Sequence, residues 1–105
     1  MNPMSALLWN DGLALAAHDH CADHGKQGLT GHRGTDGSSP WARIARYGVA
    51  YNNQGENIVY GQNTAIEIVM KQLVDDGEPD RGHRANIFNP FYQVTGVAFC
   101  KHNSQ

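Results

Sequence analysis

Apolar residues recur at helical spacing in the first half of the chain and again past its middle, separated by glycine-rich stretches without a period. Leu13, Ala16, Ala17, His20 and His24 return every three or four positions, which predicts a helix from Ser5 to His24, ended by Gly25, with an apolar-to-imidazole face. Gly25 to Gly37 reads as a loop. Ser39 is placed to cap a second helix with Pro40 at its first position and Gly48 beyond its end, burying Trp41, Ile44 and Tyr47. Val49 to Gly55 is a polar connection, and Glu56-Asn57-Ile58-Val59-Tyr60 reads as a short strand closed by Gly61. Thr64-Ala65-Ile66-Glu67 is a capping box. It opens a helix whose stripe of Ile66, Val69, Met70, Leu73 and Val74 runs on to Gly77. Tyr92 to Phe99 alternates around Gly96 and predicts a strand.

Asp75 and Asp76 put two carboxylates at the negative end of the helix dipole, where they are unfavourable. Nothing in the adjoining sequence offsets them, so the pattern calls for a cation or another tertiary partner. The stretch that follows, Arg81-Gly82-His83-Arg84, sets an imidazole between two guanidinium groups.

Composition narrows the class. At 105 residues the chain is a single small domain with one modest core. The net charge of −2 and the scattered basic residues leave no stripe that would track a phosphate backbone, which excludes nucleic acid as the expected partner. No apolar run approaches the length of a membrane span. Met1-Asn2-Pro3-Met4 has no positive n-region and Ala6-Leu7-Leu8-Trp9 is too short for an h-region, so no export signal is legible. Cys21 and Cys100 are either one disulfide or two free thiols.

Gly31-His32, Gly55-Glu56-Asn57-Ile58, Arg81-Gly82-His83-Arg84-Ala85-Asn86-Ile87 and Thr95-Gly96-Val97-Ala98 occur in the order found in the CAP superfamily. That superfamily takes its name from cysteine-rich secretory proteins, antigen 5 and pathogenesis-related 1, and is also called SCP-like. The chain resembles it from about Leu13 to Phe99. The resemblance implies an α+β fold, a three-layer α-β-α sandwich with a small antiparallel sheet, and an extracellular setting. It also implies a cleft of two histidines and two acids that holds a divalent metal such as zinc in several members. Carried over by position, His32 and His83 are the histidines and Glu56 is the acid of the Glu-Asn-Ile strand. Family members often place the fourth group, a glutamate, three residues after a helical tryptophan. This helix has no tryptophan, and Glu67 is taken up by its own helix start. Asp76, with Asp75 next in line, is the acid assigned instead. Superfamily domains usually run longer, with a closing strand after the Gly-Val-Ala stretch. A chain of this length is a short version, a fragment or the middle of a larger protein.

Neutral imidazoles with carboxylates form an N/O site suited to zinc, and an incomplete protein set keeps a position for water. The expected function is therefore a CAP-type binding module for a small lipid, a metal or a protein partner. The alternative is a metal-dependent hydrolase in which Glu56 takes the proton of a bound water. His-Glu-x-x-His, Gly-x-Ser-x-Gly and Walker-type signatures are all absent. His18, His20, Cys21 and His24 share one helix, and His20 with His24 at i, i+4 has the spacing to grip a metal. The same residues continue the stripe begun by Leu13 and Ala17, so partial burial is the reading adopted for them.

Overall fold

A computed structural model describes residues 6–48, 55–75, 81–89 and 92–102. Their element order is β1 (Leu8–Trp9), α1 (Asp11–Gln27), α2 (Pro40–Ala45), α3 (Ala65–Val74), α4 (Gly82–Ile87) and β2 (Val94–Thr95). This is an α+β fold of two helix pairs, α1 with α2 and α3 with α4, beside a two-stranded ladder. Val49 to Gln54, Asp76 and Gly77 lie outside the described residues.

The ladder is parallel, Leu8 opposite Val94 and Trp9 opposite Thr95, which corrects the antiparallel sheet expected from sequence. A parallel pair needs a crossover rather than a tight turn. Here the crossover holds every helix among the described residues. Val94–Thr95 is the only part of Tyr92 to Phe99 in a strand, and Glu56 to Tyr60 forms none. That second stretch lacks period-two alternation, and its polar side chains bond to other elements instead of facing a ladder partner.

Asn10 leaves β1 and caps α1, its side chain accepting from the Leu13 amide at 2.9 Å. The helix runs through Gly25 and ends at Gly28, whose left-handed φ of 65° is the C-cap. Gly25 is therefore not a stop. A Cβ there would collide with the Lys101 carbonyl, just as one at Gly96 would collide with the backbone of Leu13 and Ala14. These two glycines let residues 94–102 lie along α1, where the Cys21–Cys100 disulfide fastens them with a Cα–Cα distance of 5.7 Å.

Helix α2 starts as its sequence dictates, with the Ser39 hydroxyl on the Ala42 amide and Pro40 in the first turn. It turns Arg43 and Ile44 inward and leaves Trp41 exposed, contrary to the expected burial of that tryptophan. Tyr47 is half-buried and donates to Asp19 of α1. Thr64 caps α3 through the Glu67 amide, as the capping box requires. The α3 stripe has no covering layer among the described residues: Ile66, Val69, Met70 and Val74 are exposed. Ala16 and Ile44 are the buried apolar residues of the α1–α2 pair. No helix among the described residues is long and apolar enough to cross a membrane.

Candidate functional site

Glu56, Asn57 and Ile58 are the line on which the site is assembled. Glu56 accepts from His32 Nδ1 at 2.8 Å, so the imidazole is fixed by a carboxylate while its ring stays exposed. The His32 side chain is 56 % exposed, and its Nε2 has no hydrogen bond among the described residues. Behind this pair lies Arg43 of α2, whose side chain is 2 % exposed. Its Nη2 donates to both Glu56 oxygens, at 3.1 and 2.9 Å, and to the His32 carbonyl at 2.9 Å. Its Nη1 reaches the Ser38 carbonyl at 3.0 Å. One guanidinium thus joins α2, the loop carrying His32 and the acid that orients its ring. A planar fork with several fixed donors suits this role. Nothing local in the sequence distinguishes Arg43 from Arg46 three residues on, which is exposed.

Two residues later the same line meets His83. Ile58 O lies 3.1 Å from His83 Nε2, and Asp75 Oδ1 lies 3.0 Å from His83 Nδ1. Both oxygens only accept, so both contacts are hydrogen bonds at once only when the ring carries two protons. Cα atoms two residues apart are separated by at most about 7 Å. The partners of His32 and His83 are thus two residues apart on one short segment. Asn57, between them, donates to Gln72 of α3 at 2.8 Å and to the His83 carbonyl at 3.0 Å, and accepts from Asn86 at 2.7 Å. It ties the segment to α3 and α4.

Asp75 resolves the odd helix end noted in the sequence. It sits at the left-handed C-cap of α3 (φ 52°), and its carboxylate accepts from the His83 and Arg84 amides at 2.9 and 3.2 Å. These are first-turn N–H groups of α4, whose own N-cap, Arg81, supplies no side-chain bond. In return Arg84 donates to the Leu73 and Val74 carbonyls and Arg81 to that of Asp75. Burial pushes the Asp75 carboxyl up, but the Arg84 amide and the His83 ring and amide outweigh it and leave the pKa below 3.8. Asp75 is the acid on His83 among the described residues, and Asp76 lies outside them.

A second cluster backs the loop that carries His32. His20 Nε2 lies 2.7 Å from the Gly31 carbonyl and His24 Nε2 lies 2.7 Å from the Arg33 carbonyl. Both rings are buried, with centroids 4.1 Å apart. Burial first, then the charges of Arg43 and His24, lower the His20 pKa below 6.5 against the opposing Gly31 bond and Glu56 charge. Asp23 accepts from the Thr35 amide at 2.8 Å and its hydroxyl at 2.7 Å, which hold its carboxyl below 3.8. One ligand atom from each of His20, Asp23 and His24 lies within 4.8 Å of the others. Cys21 is spent in the disulfide and is no part of such a set.

Comparison with known proteins meets this geometry with a match across the whole sequence. The model of the cysteine-rich secretory protein family, CAP, matches residues 1–105. The chain belongs to the CAP family. This CAP protein is 28 % identical over 101 residues to the uncharacterized protein YkwD of Bacillus subtilis (strain 168). The match covers 96 % of the chain and 37 % of that relative, so the chain spans little more than a third of the relative's length. No solved structure matches significantly.

Proposed function

We propose that this CAP protein is an extracellular binding module whose cleft runs along Glu56-Asn57-Ile58, with His32 as the open contact. The observation that carries the reading is the exposed His32 ring, held at Nδ1 by Glu56 and from behind by the buried Arg43. A carboxylate on one ring nitrogen orients the other toward a ligand, which is how metal-binding histidines are usually supported. The donor chemistry of His32 and Glu56 suits zinc or another divalent cation. His32, Glu56, His83 and Asp76 are the set we assign to the ion. His83 joins it by giving up its bond to Ile58 O. A bound ion would supply an open coordination position for an anionic or carbonyl group of a small lipid or protein partner.

A hydrolase in which Glu56 takes the proton of a bound water is the alternative; there too Arg43, which donates to both Glu56 oxygens, would hold the carboxylate in place behind His32. The extracellular setting is supported by the secretory family and by the disulfide, which persists in oxidising compartments. In the family's three-layer layout, the exposed stripe of α3 is the face that a sheet would cover.

Isothermal titration of the chelator-stripped protein with zinc tests the reading. One equivalent should be lost in His32→Ala and weakened by roughly 10- to 100-fold in Glu56→Gln, since Glu56 orients the ring. Titration curves for His32→Ala that overlay those of the parent would overturn it.

A further inference from the structure

We infer that His20, Asp23 and His24 form a second divalent-metal site, inside the domain and separate from the His32 cleft. The Gly31 and Arg33 carbonyls only accept, so His20 and His24 each carry their hydrogen on Nε2. In the neutral ring that leaves Nδ1 as a bare lone pair. Both Nδ1 atoms are buried and neither has a hydrogen-bond partner. Each residue is only 5 % exposed, so water does not substitute freely. Two orphaned acceptors of one kind, on rings 4.1 Å apart, are costly unless something electron-poor sits between them.

A proton fits this place badly. One proton would fill only one of the two lone pairs, and charging both rings would set two imidazolium groups against each other with centroids 4.1 Å apart. A divalent cation fits better, because it takes both lone pairs and is balanced by Asp23. That carboxylate spends one lone pair of each oxygen on Thr35 and has others left. Two imidazoles and a carboxylate are a familiar zinc set, with the fourth position for water. The outer partners are in place too: carbonyls on both Nε2–H groups and Thr35 on the acid. Zinc bonds of about 2.1 Å bring ligand atoms to about 3.4 Å from one another. One ligand atom from each of the three residues already lies within 4.8 Å of the others, not far from that spacing. Because the outer partners belong to residues 31–35, an ion here would also stiffen the loop that presents His32.

The test uses the intact, disulfide-bonded chain stripped by chelator at pH 7.5, with zinc alone as the probe. Long-range 15N–1H spectra of the histidine rings are followed through the titration. Zinc is expected to move Nδ1 of both His20 and His24 while their Nε2 atoms stay protonated, without help from any variant. The same shifts should persist in His32→Ala/His83→Ala, and Asp23→Asn should weaken them about tenfold or more. Unmoved His20 and His24 signals at millimolar zinc overturn the inference, whatever His32 does. Shifts at His20 and His24 without any at His32 uphold it while counting against the cleft proposed above.

Discussion

Arg43 has a larger effect on this domain than its single position would suggest. Its guanidinium contacts Glu56, the His32 carbonyl and the Ser38 carbonyl from a side chain that is 2 % exposed, and Glu56 is itself only 18 % exposed. Removing one member of a buried pair leaves the other charge without compensation, which costs about 3–5 kcal/mol. Arg43→Met should therefore lower the unfolding free energy from urea titration by that amount, and Arg43→Lys should recover little, because a single ammonium lacks the planar fork that reaches Glu56 and His32 from one nitrogen and Ser38 from the other. Arg46→Ala, at an exposed pair with Asp36, should leave the midpoint nearly where it was. An Arg43→Met protein as stable as the parent would show that the guanidinium is dispensable. The sequence did not reveal this residue, since burial of an arginine depends on acceptors that arrive from positions 32, 38 and 56. His20 and His24 were legible as one face of a helix but not as clamps, because the carbonyls they hold belong to a loop without a period.

Pairs of elements here are fastened by exchange at their ends. The α3 carbonyls receive Arg81 and Arg84 from α4, and α4 receives its N-terminal acceptor from Asp75 of α3. The folded pKa of Asp75 lies below its ordinary 3.8, so the native state binds fewer protons than the unfolded chain near that pH. Its stabilising contribution is complete above about pH 4 and is lost as pH falls through the folded value. Hydrogen exchange should accordingly show the His83 and Arg84 amides opening early on acidification below pH 4, and Asp75→Asn should remove most of that pH dependence locally. Exchange at these amides that ignores pH in the parent would contradict the assignment. Element starts were legible wherever their signal is local, as at Ser39-Pro40 and the Thr64–Glu67 box. Gly25 was misread as a stop because its purpose, the close approach of Lys101, is invisible nearby in sequence. Glu56 to Tyr60 was misread as a strand because side chains, not a ladder, take up its bonding.

The molecule as a whole relies on more than its apolar interior. Ala16 and Ile44 are buried, while Leu8, Trp9, Ile66, Val97 and Phe99 stay exposed among the described residues. The Cys21–Cys100 link joins residues 79 apart in sequence, so it removes a large loop-closure freedom from the unfolded chain. Reduction, or Cys21→Ser/Cys100→Ser, should cost about 2–5 kcal/mol of unfolding free energy. An unchanged thermal midpoint on reduction would deny the link that role. The CAP motifs, spread from Gly31 to Ala98, made the family legible before any coordinates. The parallel pairing of β1 with β2 was not legible, since two-residue strands at opposite ends of the chain leave no pattern of their own. The central claim is that His32 and His83, anchored at Glu56 and Ile58, serve one cleft. Elemental analysis after zinc equilibration and gel filtration tests it most directly, comparing the parent with His32→Ala/His83→Ala under identical conditions. The account predicts that the double variant retains one zinc fewer per chain, with an unchanged circular dichroism spectrum; equal zinc in the two folded proteins would contradict it.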